Sequence, residues 1–192
     1  MCVEKDRFAS IFKCYVFFAF LKGDIMFSIG DYIVYGSNGV FRVNDLGTIE
    51  MSGIPSDKLY YTLISVDGKD SKIFTPVDNK KVNMRPISSK EDVLNLIDNF
   101  DSIEMLSNPN DIKTEDLYRE TIKKGECKDW IKVIKTLYVK KQARKAEGKK
   151  MSASDERFLN KAEECLYQEF SIPLHINKDK VEDFILNRVN IN

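Results

Sequence analysis

Cys2, Cys14, Cys127, Cys165 and the single His175 are the nucleophile and soft-metal candidates of this 192-residue chain, and their spacing supports neither role. No two cysteines form a C-x-x-C pair and there is no second histidine, so neither a zinc site nor a disulfide framework is readable. Cys127 and Cys165 are expected as small apolar residues on helix faces in a reducing cytoplasm. There is no phosphate-cradling glycine loop and no histidine set beside a nucleophile, so catalysis would fall to unpatterned carboxylates. The chain reads as a non-enzyme, with no cofactor and no metal.

What remains to be read is the distribution of charge. Formal charge balances at 30 basic against 30 acidic residues, but its distribution is uneven. Lys90 to Glu120 runs to a net of about −6, whereas Lys123 to Lys150 runs to about +8. Within the basic stretch, Lys140, Lys141, Arg144, Lys145, Lys149 and Lys150 form the densest cluster. Such a run is either a contact for nucleic-acid phosphates or a solvated helix face, and the pattern leaves both open.

Two kinds of element must carry these residues. Ile29, Ile33 and Tyr35, with Val34 between them, read as a short, mostly buried strand, and Val40, Phe41 and Val43 as its partner. Ser37-Asn38-Gly39 supplies the turn between them, with the glycine free to take positive φ. Further strands are expected at Leu59 to Val66, Ser71 to Pro76 and Lys81 to Arg85, separated by Ser52 to Asp57 and by the turn Asp67-Gly68-Lys69-Asp70. The pattern predicts a five-stranded, strongly bent barrel of the SH3 or Tudor kind.

After Pro86 the apolar period changes from two to about 3.6. Val93, Leu94, Ile97 and Phe100 form one stripe, which Ser88 or Ser89 can cap. Further helices are expected at Thr114 to Lys124, Cys127 to Ala146, Ala153 to Phe170 and Asp179 to Val189, with breaks at Asn108-Pro109-Asn110 and Gly125. Ser152 is a plausible N-cap, and Leu159, Ala162, Leu166 and Phe170 are the buried stripe behind it. Trp130 precedes Val133 and Ile134 by one turn and is expected in the core. The fold class is α+β: a Tudor-like domain at 26–87, then an all-helical domain at 88–192.

Three segments in order carry a resemblance. The run Gly30-Asp31-Tyr32-Ile33-Val34-Tyr35 with Asn38-Gly39-Val40, the segment Thr75-Pro76-Val77-Asp78-Asn79, and the helix from Met151 to Phe170 resemble the CarD/CdnL family of bacterial transcription regulators. The break at Lys124-Gly125-Glu126 is similar to that family's S-G-D break. The resemblance covers Met26 to about Phe170 and implies a first domain that binds the RNA polymerase β subunit and a helical domain that faces promoter DNA at the upstream edge of the bubble. It implies no membrane role, and a monomer is expected.

Residue roles follow by the same resemblance. Polymerase contact in the family runs through an edge strand that adds to the β subunit, which falls here on Lys72, Ile73, Phe74, Thr75 and Pro76. Phe74 stands where some relatives carry an arginine, which implies an apolar contact. Lys113, Arg119, Lys150 and Arg157 lie at or beside DNA-facing positions. The family's minor-groove tryptophan wedge maps to Asp111, with Ile112 beside it, and not to Trp130. An acidic side chain is repelled by phosphates and cannot stack in a base step, so either the wedge is missing or Ile112 replaces it. The alternative is a Tudor-like interaction module that binds polymerase without engaging DNA.

Residues 1–25 precede the resemblance. Ile11 to Leu21 is apolar apart from Lys13, but Glu4 and Asp6 offset Lys5 and Arg7 and no small-x-small cleavage site precedes Met26. The run is also too short to span a bilayer. A start at Met26 is expected, with a membrane-associating extension as the alternative.

Overall fold

The computed structural model describes residues 27–49, 58–68, 71–106 and 114–189. Residues 1–25, the Ser52–Asp57 break and the Asn108–Pro109–Asn110 break lie outside them.

Five strands form one antiparallel sheet: β1 (Tyr32–Tyr35), β2 (Val40–Gly47), β3 (Tyr60–Ser65), β4 (Lys72–Pro76) and β5 (Met84–Pro86), in the order β4-β3-β2-β1-β5. Period-two alternation sorts their side chains. Ile33, Tyr35, Phe41, Val43, Tyr61 and Leu63 pack with Phe27 in a core inside the bent sheet. Val34 and Val40, on the opposite face, belong to the core of the helices. The sheet is thus covered on both sides, and its two faces bind the two halves of the molecule together.

The strands occur in the expected order, but the barrel is not closed, because β4 and β5 are edges that do not pair with each other. β5 has only three residues and its neighbourhood is engaged by the helices, with Asn83 Nδ2 donating to Lys124 O at 2.8 Å and Arg85 Nε to Gly125 O at 2.8 Å. The first strand also starts later than expected. Ile29 is 62% exposed, because Ser28 and Asp31 close a turn through Asp31 N to Ser28 O at 3.1 Å and Ser28 N to Asp31 Oδ2 at 2.8 Å. Phe27, anchored through its N–H to Tyr61 Oη at 2.9 Å, takes the core position that Ile29 leaves.

The helices are α1 (Lys90–Asp98), α2 (Thr114–Lys123), α3 (Cys127–Ala146), α4 (Ala153–Leu174) and α5 (Val181–Val189). Ser89 closes a capping box with Asp92 at the start of α1, and the Ser152 hydroxyl accepts from Asp155 N at 3.1 Å at the start of α4. Gly125, at φ +77°, turns the chain from α2 into α3. α4 runs past the expected Phe170 to Leu174 and stops at His175, which takes the left-handed conformation. Leu159, Ala162, Leu166 and Phe170 are all buried, as are Val133 and Leu137. Trp130 is fully buried, and its indole N–H donates to Ile122 O at 3.2 Å.

Candidate interaction interfaces

Among the described residues β4 is an edge strand, paired only with β3 in the register Thr62 to Phe74 and Leu63 to Ile73. Lys72 and Phe74 face solvent, Phe74 is 43% exposed, and the Lys72 ammonium lies 5.0 Å from the Phe74 ring centroid. Ile73 points the other way and packs on the sheet core. Thr75 is buried and Pro76 half-buried. The Thr75 hydroxyl accepts from Asn79 Nδ2 at 2.8 Å and from Tyr35 Oη at 3.4 Å, so its side chain belongs to the fold. Of the five strand residues singled out from sequence, only Lys72 and Phe74 present exposed side chains.

The cations are divided in a similar way. Arg119 on α2 and Arg157 on α4 are exposed, and Tyr118 meets Phe158 at 5.7 Å between ring centroids, which brings the two helices together where those arginines stand. Lys150 is exposed in the α3–α4 connection, where its carbonyl accepts from Arg144 Nε at 2.7 Å. Asp111, Ile112 and Lys113 lie outside the described residues. In the basic stretch, Lys140 is bound to the buried Asp155 carboxylate at 2.9 Å, and Lys135 donates to the carbonyls of Phe100, Asp101 and Ile103 at 3.0, 3.1 and 2.7 Å. Those two lysines hold the fold together, which a count of charges could not reveal.

A buried polar cluster, unforeseen from sequence, joins the two halves. Arg85, at the end of the sheet, donates to both oxygens of Glu169 on α4 at 2.7 and 2.8 Å, and Ser88 N and Oγ each donate to Glu169 Oε1 at 2.8 Å. The guanidinium also lies 5.8 Å from the Trp130 ring centroid. Burial opposes the Arg85 charge, but the hydrogen-bonded Glu169 more than offsets it, and the pKa lies above the ordinary arginine value. Burial pushes the neighbouring Cys127 thiol up, with Glu169 adding to the shift, and burial pushes Cys165 up to about 11. Both thiols are therefore protonated and poorly nucleophilic near neutral pH. One sequence signal could have pointed to the cluster: Glu169 follows Leu166 by three and Ala162 by seven, a carboxylate on the buried stripe of α4.

Among the described residues no group of His, Cys, Asp and Glu is arranged to hold a metal ion, and no helix is long and apolar enough to cross a membrane.

Comparison with known families finds two matches along the chain. The family model for the CarD-like/TRCF RID domain matches residues 27–88, and that for the CarD C-terminal domain matches residues 102–186. The chain belongs to the CarD/CdnL family. The first CarD match coincides with the Tudor-like sheet and ends just before α1, and the second spans α2 to α4 and most of α5. As a CarD-family member the chain is an RNA polymerase-interacting transcription factor. No curated protein matches the chain.

Proposed function

We propose that the chain docks on the polymerase β subunit by strand addition at β4 and sets its helical domain against promoter DNA at the upstream edge of the bubble, altering open-complex stability. It acts as a cytoplasmic monomer, without catalysis and without a cofactor.

The open edge at β4 carries this reading. Ser65 N donates to Ser71 O at 3.0 Å and Val77 N to Leu59 O at 3.1 Å, which sets the phase of the ladder. Residues 71, 73, 75 and 77 bond inward to β3, so the peptide groups of Lys72 and Phe74 point outward, as antiparallel pairing requires. Pro76 has no N–H to offer and limits the length of any added strand. Outward main chain beside an exposed Phe74 is the surface that strand addition uses, with backbone bonds giving affinity and alternate side chains specificity. The opposite edge, β5, is engaged by the helices.

A second reading, polymerase binding without DNA contact, draws support from the basic stretch, since Lys135 and Lys140 are committed to internal partners. Transcription in vitro from a ribosomal promoter separates the two. Phe74→Asp is expected to abolish retention on polymerase and any change in open-complex lifetime, while Arg157→Ala with Lys150→Ala shortens the effect on lifetime and keeps retention. If Phe74→Asp is retained as well as the parent, docking at β4 is wrong. If the arginine and lysine variant behaves as the parent, the reading without DNA is preferred. Asp111→Trp tests the wedge position in the same assay, and equal activity would show that this position is silent here.

A further inference from the structure

A groove of about 670 Å³ runs between the Gly36–Asn38 turn with the segment leading into β5 on one wall, and the end of α2 with the start of α4 on the other. Among the described residues its lining carries Lys81, Arg119, Lys123, Lys124 and Lys161, with Glu120 as the one carboxylate. In a chain with balanced charge, five cations from three separate segments meet along one channel. Val82, Ile122 and Phe158 contribute apolar surface to the same lining.

We propose that this groove binds the phosphate backbone of DNA, with Lys81 contacting it from the sheet side and Lys123 and Lys161 from the helical side. The inference rests on the promoter-DNA reading above and deepens it, because it carries the contact from the helical domain onto the sheet domain.

Three observations support it. The end of α2 would ordinarily present a negative dipole to the groove. Here the carbonyls of Ile122 in α2 and of Lys124 and Gly125 just beyond it are each occupied, by Trp130 Nε1, Asn83 Nδ2 and Arg85 Nε, which leaves fewer free acceptors beside the lysines. The walls are also preorganised. Gly36 N donates to Asn83 O at 2.8 Å, and a Cβ on Gly125 would sit only 3.4 Å from Gly36, so the two domains touch backbone to backbone at the base of the channel. Lastly, Arg119 lines the groove, so the channel includes one of the cations already proposed to face DNA. The ion pair of Arg119 with Asp116 is on the surface and contributes little to stability, and the Lys124 and Lys161 side chains in their pairs with Asp129 and Glu164 are themselves accessible, so phosphates can compete for these cations.

The test uses the full chain and a fluorescein-labelled promoter fork, followed by anisotropy from low to physiological salt, with polymerase retention and the thermal midpoint measured in parallel. A triple variant, Lys81→Ala, Lys123→Ala and Lys161→Ala, is expected to reduce the slope of log affinity against log salt by about 3, roughly one per lost phosphate contact. The weakening is expected to be equal on an unrelated sequence, with retention and midpoint unchanged. If the slope is unaffected while Arg157→Ala with Lys150→Ala lowers it, the groove inference falls and the DNA reading stands. If the triple variant instead loses polymerase retention with its slope intact, the groove is a protein contact and the inference falls. If the parent binds no DNA with or without polymerase, both fall.

Discussion

Arg85 and Glu169, separated by 84 residues in the chain, meet through two parallel hydrogen bonds of 2.7 and 2.8 Å, and the Glu169 side chain is completely buried. The pair ties the last strand to the longest helix. A buried ion pair does not by itself guarantee stability, but breaking one is costly, because the survivor is left charged and unsatisfied. Glu169→Ala is therefore expected to lower stability by about 3–5 kcal/mol. The double change Arg85→Met with Glu169→Leu should recover most of that loss. Urea unfolding of the three proteins measures it, and a single variant as stable as the parent would show that the pair contributes nothing.

Gly39 lies where β2 leaves the first hairpin, at φ +98°, and a Cβ there would collide with Gln168 Oε1. That same oxygen accepts from Val40 N at 3.2 Å, so one residue both forces the turn and admits a contact from α4. Gly39→Ala is expected to cost more than about 1 kcal/mol, from a disfavoured backbone and a displaced hydrogen bond. Thermal unfolding reads this, and an unchanged midpoint would mean that the turn relaxes freely.

Lys140 belongs to the most basic stretch of the chain yet faces inward, to Asp155 at 2.9 Å. Lys140→Ala should cost about 1–3 kcal/mol, moderated by the Ser152 hydroxyl that still donates to Asp155 at 2.7 Å. The salt slope of DNA binding is expected to stay as in the parent. A smaller slope with unchanged stability would reverse the assignment and make Lys140 a phosphate contact.

Glu163 is half-buried on α4, and its carboxyl is raised above the ordinary range, chiefly by burial and further by Glu182, against the opposing effect of Lys141. A carboxyl that holds its proton more tightly when folded stabilises the fold below its unfolded pKa, and that contribution is lost as pH rises through the raised value. Glu163→Gln should thus raise the thermal midpoint near neutral pH and leave it little changed at about pH 4, close to the ordinary glutamate value. A midpoint that falls at neutral pH would show that the charged form is the stabilising one.

The elements themselves were legible because they rest on local rules. Period-two alternation around Tyr32–Tyr35 and Val40–Gly47, the caps at Ser88 or Ser89 and at Ser152, and the stripe Leu159–Ala162–Leu166–Phe170 each depend on neighbours within a few residues. Trp130 could be placed in the core for the same reason. Ile29 could not be placed, because a short turn at Ser28–Asp31 delays the strand and hands the core position to Phe27.

Sequence alone determined the order of sheet and helices, the positive-φ turn at Gly39, the break at Gly125, and which helix faces are apolar. Tertiary structure decided which polar residues are available to a partner. Lys140 and Lys135 read no differently from Lys141 and Lys145 until Asp155 and three carbonyls are brought against them. Thr75 and Phe74 are adjacent on an edge strand, yet only the pleat and the register with β3 turn one inward and the other to solvent. Lys81, Lys123 and Lys161 are far apart in the chain and share a groove only because the sheet docks on the helices. Charge and polarity are properties of a residue, but exposure and partnership are set by contacts between segments distant in sequence, and those exist only once the two cores have formed.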